Sequence, residues 1–519
     1  MSGGAHDRAG QEKPVLVAVD LGAESCRVSL LRWIDDRPDI RLVHRFANSA
    51  TQTGSDLRWN IAAILHGVEA GLRTCAEISS ARIDGIGVDG WAVDYVRLGS
   101  GEQPVADPFC YRDERTVVAK DQVHSRISTS RLYELTGVQI LNLNTLYQLH
   151  ADRRTEQSLP WINLPEFVLH RLGGRRVSEY TNATHTQLLS VRDHTWCPEI
   201  FVAAGLDIGA APPVVNPGTD IGRPQGELAS LPAFRNTRLI APACHDTASA
   251  IAGIPAQGSD WAFISSGTWS LVGCVLDSAC VNEAARNANF SNEGGVGGRI
   301  YFLKNVNGMW LLRQCMEHWR SQGQFWTIEQ LIEASINIGP PESVIDVDDP
   351  ALLLPGDMPA RINAQLARMG RDTIPEGPGA AAKMTNLILH SLADRYAAVL
   401  RDAASITGKA FKQLYIVGGG SRNAALNQLT AKATGLQVLP GSTESATVGN
   451  FAIQLAALER GFTDGVGVSS EAVAKWASVL ALRPINAARL ATPGLATPGN
   501  SIRAYGVEPV QRPPGKEFA

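Results

Sequence analysis

Two stretches of this chain share one design. "VAVDLGAESCRVSLL" opens the first half and "WAFISSGTWSLVGCVL" lies just past the middle; each is an apolar strand, a turn of small residues, and a second apolar strand. Such a turn closes a tight hairpin and leaves backbone amides exposed at its tip. Identity between the two is too low to prove a repeat, but the shared design in separate halves points to a duplicated architecture. At 519 residues the chain exceeds what one hydrophobic core usually organises, so two lobes with a cleft between them are expected.

Around the hairpins, strands and helices alternate. "RLVHRFAN" supplies a third strand after the turn "DDRPD", the stretch from Trp59 to Ser79 has helical spacing, and "RIDGIGVDGWAVDYVRL" returns to strand-forming residues. Later, Ile388, Leu392, Tyr396, Val399, Ala403 and Ile406 recur at helical spacing up to Gly408, a residue suited to follow a helix end. "QLYIVGGGSRNAALNQLTAKATG" then reads as strand, glycine turn and helix. The alternation predicts an α/β fold. Residues 113–192 form a more helical insertion that could supply substrate contacts. The expected plan is a polar leader over 1–14, a first lobe over 15–240, a second over 241–484 and a disordered Ala-, Pro- and Gly-rich tail over 485–519.

Composition removes several function classes. A net charge of -4 and a pI near 6.3 offer no broad surface for a nucleic-acid backbone. No apolar run approaches membrane-spanning length, and "MSGGAHDRAGQEKP" lacks the apolar core of a signal peptide, so neither membrane nor export is expected. The eight cysteines show no CxxC pair and read as reduced thiols of a cytoplasmic protein. Monomer and homodimer are both compatible with the sequence.

Three turns carry nucleotide-binding chemistry, two of them suited to phosphate. In "DLGAESCRV", Gly22 permits the turn, Ser25 adds a hydroxyl and Arg27 a positive charge, and Asp20 at the strand end suits magnesium held through water. "ISSGTWSLVG" offers Ser265, Ser266, Gly267 and Thr268 by the same logic. In "VGGGSRNAALNQLTA", Gly418, Gly419 and Gly420 let a flat ligand lie against bare backbone ahead of a helix. The glycines are consecutive and no acidic residue follows at the dinucleotide spacing, so a nucleotide base or ribose fits better than NAD. Each turn alone also fits plain structure; their pairing is what points to a nucleotide.

"APACHDTASA" sets His245 beside Asp246 among small residues. The eleven histidines provide no convincing metal-ligand set. Two readings remain open: Asp246 caps the helix "TASAIAG", or it faces the cleft and takes a hydroxyl proton while that oxygen attacks phosphorus. In the second, His245 and Thr247 orient the substrate.

Phosphate hairpin, central aspartate, second phosphate hairpin and late glycine turn occur in the order used by sugar kinases of the actin-like (ribonuclease H-like) fold. The chain resembles the FGGY carbohydrate kinases over roughly Val15 to Leu480, and within them the rhamnulokinase branch. The matching segments are "VAVDLGAES", "YRDERT", "LNTLYQL", "EYTNATHTQL", "HDTASA", "SSGTWSL", "NEGG", "LKN" followed by "GMWLL", and "IVGGGSRN". The resemblance implies two actin-like domains closing on sugar and MgATP, with transfer of the γ-phosphoryl to the 1-hydroxyl of L-rhamnulose. By position, Asp246 matches the catalytic base, and His245, Thr247 and Asn305 match substrate positions. Ala23, Glu24, Ser25, Cys26, Arg27, Thr268 and Gly419 match ATP-contacting positions, and Arg313 stands where the relative has an ATP-contacting glutamine.

The departures concern glycine positions. Cys26 replaces a glycine of the first phosphate turn, and Ala92 in "DGWAVDYV" replaces a glycine that contacts sugar. One methyl beside the sugar is worth about 1 kcal/mol, enough to shift preference toward another ketose such as L-fuculose or L-xylulose. Trp91, Asp94 and Tyr95 are expected to line the sugar cleft, since aromatic faces stack on sugars and carboxylates accept hydroxyl hydrogen bonds.

Overall fold

The computed structural model describes residues 12–156, 158–256, 258–463, 465–481 and 486–487. The wholly buried run Leu16–Leu21 forms β1, which turns into β2 (Ser25–Ile34) and then β3 (Arg37–Ala47). Helix α1 (Ile61–Ile78) starts where the Asn60 side chain accepts from the Ala63 amide, and it leads to β4 (Gly85–Gly90), parallel to β1. A mostly helical insertion, including α2 (Tyr180–His185), precedes β5 (Thr219–Gly222) and β6 (Arg238–Ala241). These strands lie in the order β5-β6-β4-β1-β2-β3. From β6 the chain passes directly into α3 (Asp246–Ala252).

The second sheet repeats the plan. Strands β7 (Trp261–Ser266), β8 (Trp269–Leu276), β9 (Ser291–Gly294), β10 (Ile300–Asn307), β11 (Gln413–Val417) and β12 (Gln437–Pro440) lie in the order β9-β10-β8-β7-β11-β12. In both sheets a hairpin leads into a third antiparallel strand, while parallel strands add on the other side of the hairpin's first strand. The long α4 (Ala380–Thr407) ends at Gly408 with φ 70°, as its spacing predicts. α5 (Ala424–Thr434) joins β11 to β12, α6 (Ser445–Arg460) follows, and β13 (Asn486–Ala487) returns to pair with β3 of the first sheet.

Two points of the expected plan are placed differently. A boundary at 240/241 falls inside β6, because Arg238–Ala241 pairs with both β5 and β4 before the chain leaves the first sheet. Asn486 and Ala487 of the expected tail form a strand; the rest of the tail and residues 1–11 lie outside the described residues.

Among the apolar clusters of the described residues, three join the sheets to their helices and to each other. One packs α1 on the first sheet through Val28, Val68 and Leu72, and another packs α4 on the second through Ile264, Val272 and Ile388. The third lies between the sheets, where Leu16 and Ile240 from one and Phe263 and Leu303 from the other meet Ile251 of α3 and Phe451 of α6. Each such side chain contributes about 1.5–3 kcal/mol on burial, so α3 and α6 act as the common floor of both lobes. α6 also brings polar groups onto the first sheet. Asn450 Nδ2 donates to Asp89 Oδ2 at 2.6 Å, and Gln454 Nε2 donates to the Val17 carbonyl at 3.0 Å. A Cβ on Gly85 would sit 2.6 Å from Gln454 Oε1, which explains a glycine in a buried strand. Among the described residues no helix is long and apolar enough to cross a membrane, and all eight cysteines are unpaired.

Candidate functional site

A cleft of about 800 Å³ opens between the lobes and is lined by all three glycine- and serine-rich turns and by the start of α3. At the first turn, strand alternation in β2 sends Ser25 and Arg27 to the cleft. Arg27 Nη1 donates to Asp20 Oδ2 at 3.0 Å and its Nε lies 3.3 Å from Glu444 Oε2, so one guanidinium joins two carboxylates. Burial pushes the Asp20 carboxyl above its ordinary value, and the Arg27 charge opposes that shift. Ser25 Oγ accepts from Arg45 Nε at 3.3 Å.

Across the cleft, Thr268 Oγ1 donates to Glu24 Oε1 at 3.0 Å, and Arg313 pairs with the same carboxylate. Glu24 thereby ties the two hairpin turns together. At the glycine turn, Gly418 has φ 79° and Gly420 lies so close to β7 that a Cβ would meet Ser266 Cβ at 2.5 Å. Gly419 has no atom within 4 Å of where its Cβ would stand, leaving bare backbone facing the cleft.

Asp246 occupies the cleft floor. His245 is the N-cap of α3 and Asp246 its first residue, so the capping alternative for Asp246 does not hold. Its Oδ1 accepts from Thr247 Oγ1 at 3.2 Å and lies 3.5 Å from His245 Nε2. Burial first, and the Asp20 charge second, raise its pKa to about 6. About a third of the side chain stays open to the cleft, so ligands that displace water there strengthen the effect. Burial and the neighbouring His185 hold the His245 imidazole well below the usual histidine value, and it is neutral at neutral pH. The segment before α3 is fixed by the insertion: Glu179 Oε2 accepts from the Cys244 amide at 2.8 Å, and Gly90 donates to the Cys244 carbonyl at 3.0 Å.

Beyond His245 the cleft ends in His185, Glu293, Gln139, Asn144, Asn305, Trp91 and Ala92. Gln139 Oε1 accepts from both the backbone amide and Nδ2 of Asn305, each at 3.0 Å. His185 Nε2 lies 2.7 Å from Glu293 Oε2, and His245 Nδ1 lies 3.9 Å from that oxygen. Among the described residues these three are the group with metal-ligand spacing, a set that their scattered sequence positions conceal.

The structure therefore gathers Asp20, Ala23, Glu24, Ser25, Arg27, Ala92, His245, Asp246, Thr247, Thr268, Asn305, Arg313 and Gly419 around one cleft. Three expected residues are elsewhere. Cys26 is fully buried in the first core, because the same alternation that exposes Ser25 and Arg27 turns it inward; its side chain meets no ligand space. Asp94 is fully buried and accepts from Trp59 Nε1 at 2.6 Å, Trp91 Nε1 at 2.9 Å, the Tyr111 amide at 3.2 Å and Gln148 Nε2 at 3.1 Å. It braces the cleft wall from behind instead of lining it. Tyr95 likewise turns away, its hydroxyl bonded to Asp152, whereas Trp91 does line the cleft. Glu444, Arg45, His185 and Glu293 are cleft residues that motif reasoning left out; His185 and Glu293 stand within "EYTNATHTQL" and "NEGG", which marked the segments without marking the side chains.

This arrangement can hold a polyanion among turn amides and cations while a carboxylate takes a proton from a hydroxyl beside it. Comparisons with known proteins agree with that chemistry. The model of the "FGGY family of carbohydrate kinases, N-terminal domain" matches residues 15–253, and that of the C-terminal domain matches 262–458. A curated rhamnulokinase of Bacteroides thetaiotaomicron is 36% identical over 442 residues, 84% of this chain and 89% of that protein. Ligand-bound xylulose kinase from Lactobacillus acidophilus superposes with a TM-score of 0.69 at 15% identity, covering 90% of this chain and 96% of its own. Plasmodium falciparum glycerol kinase with ADP gives 0.69 at 11% identity, covering 90% and 92%. These likenesses carry the two-domain α/β fold.

Proposed function

The chain belongs to the FGGY family of carbohydrate kinases, and we propose that within it the enzyme phosphorylates the 1-hydroxyl of L-rhamnulose to give L-rhamnulose 1-phosphate, with MgATP as donor. The identity to a rhamnulokinase over most of both chains supports that substrate. The observation that carries the mechanism is the place of Asp246, on the floor between three nucleotide-type turns and a polar end.

In this reading Asp246 accepts the hydroxyl proton as the oxygen attacks, and His245, neutral, fixes the carboxylate and the sugar chain. Thr247, Asn305 and the Ala92 backbone border the sugar. The turns at Ala23 to Ser25, at Thr268 and at Gly419 cradle the nucleotide, with Arg313 beside them and Arg27 at the phosphoryl end. The Asp20 carboxylate, a hard oxygen donor at the cleft edge, suits magnesium through water. When bound there, the ion offsets charge on the phosphate oxygens. Lobe closure would exclude water, the competing phosphoryl acceptor.

The test is a panel of ketoses with purified protein and MgATP in a coupled ADP-release assay. L-Rhamnulose should give the highest kcat/KM; preference for L-fuculose or L-xylulose would move the assignment within the family. Asp246→Asn should lower kcat by about 10²–10⁴ while sugar binding persists. Undiminished turnover in that variant would refute the mechanism, and sugar binding without turnover in the native protein would indicate a non-catalytic sugar binder.

A further inference from the structure

We propose that His185 and Glu293 form the part of the sugar site that reads the ketose beyond its reacting end, with the two Glu293 oxygens accepting hydrogen bonds from two neighbouring hydroxyls. This rests on the kinase reading above and adds residues that no motif assigned.

Glu293 on β9 is 1% exposed, yet apart from the close contact between its Oε2 and His185 Nε2, at the end of α2, neither of its side-chain oxygens has a hydrogen-bond partner. Both residues line the cleft. A buried carboxylate without donors is costly, and the cost is relieved when a ligand brings them. Hydroxyl groups are such donors, and a carboxylate has lone pairs enough to accept from two at once. His185, 2.7 Å from one oxygen, confines the carboxylate to one side of the cleft.

Position fixes which hydroxyls are read. The His245 imidazole spans the gap, with Nε2 3.5 Å from Asp246 and Nδ1 3.9 Å from Glu293. A sugar whose reacting hydroxyl meets Asp246 therefore extends past His245 and brings later carbons to Glu293. The pair is held firmly, since the Gly294 amide donates to Thr184 Oγ1 at 3.0 Å and locks β9 to α2 across the lobes. The same three side chains have metal-ligand spacing. The 2.7 Å between His185 Nε2 and Glu293 Oε2, however, is a direct ion-pair contact, shorter than the roughly 3.4 Å that separates two ligands of a tetrahedral ion at about 2.1 Å. Hydroxyls are the better match.

The experiment compares native protein, Glu293→Gln and His185→Ala on the preferred ketose and on analogues lacking one hydroxyl each, with metal analysis of all three proteins. Glu293→Gln should raise KM by about a hundredfold, the loss expected for a hydrogen bond to a charged acceptor, with a smaller change in kcat. Native enzyme should lose a similar factor on one or two of the deoxy analogues, and Glu293→Gln should lose nothing further on those. An unchanged KM in Glu293→Gln overturns this proposal alone; absence of turnover on any ketose by the native enzyme overturns it together with the kinase reading. If Glu293→Gln does not fold, the native enzyme decides: equal kcat/KM on every deoxy analogue overturns the proposal. Stoichiometric divalent metal in native protein that is lost in His185→Ala would overturn it in favour of a metal centre.

Discussion

Gly449 is placed where α6 crosses α3, and adding one methyl group there should damage both stability and turnover. A Cβ at Gly449 would lie 2.7 Å from the Ser249 carbonyl carbon and 2.9 Å from the Gly253 amide nitrogen. Non-bonded carbons settle at about 3.5–4.0 Å, so Gly449→Ala must open the crossing by roughly 1 Å. The obstacle is helix backbone, which cannot rotate away as a side chain would. Overpacking of this kind costs about 1–3 kcal/mol. Stretching the 2.8 Å bond from Ser445 Oγ to the Ala250 carbonyl adds about 1 kcal/mol. The total is about 2–4 kcal/mol, read as a lower urea midpoint at unchanged slope. Because α3 begins with Asp246, the displacement reaches the carboxylate, and a misplacement of about 1 Å costs on the order of 10² in rate. The assays are urea unfolding and kcat on the preferred ketose. An unfolding midpoint equal to the native protein's together with kcat within about twofold would refute the argument that this crossing sets the position of Asp246.

Two further outcomes follow from the same geometry. The Asp246 carboxylate must be ionised to accept a proton, and its pKa is raised to about 6, so kcat/KM should be full above that value and fall as pH drops through it; a profile flat to well below 6 would contradict the assignment. Asp94→Ala leaves the Trp59 and Trp91 indoles and the Tyr111 amide without their acceptor and should cost about 3 kcal/mol or more in urea unfolding. A cost near zero would show that Asp94 is not the brace of that wall.

The hairpins were legible because everything that makes them is local: apolar runs, a glycine or serine turn, and another run. Asp246 was legible as one of a polar doublet, with His245, among residues too small to hide it. Cys26 shows a signal left unused, since the two-residue period of a strand that turns Ser25 and Arg27 to the cleft must turn the residue between them to the core. Asp94 was not legible, because its donors come from positions 59, 91, 111 and 148, and only the fold brings them to one point. His185 and Glu293 lie on different lobes, and no spacing rule joins them. That β6 of the first sheet runs to Ala241 is not legible, because a short parallel strand looks the same in sequence whichever sheet it joins.

The crossing of α6 onto the first sheet also governs the order in which this protein can be made. During synthesis, β1 and β4 emerge from the ribosome long before residues 445–460 exist to cover them and to satisfy Asp89. The early half must wait, with an apolar face and a lone carboxylate bare, until nearly the whole message has been read. Transiently bare apolar surface of this kind is prone to aggregation, so the two halves made as separate chains are expected to mature less well than the whole.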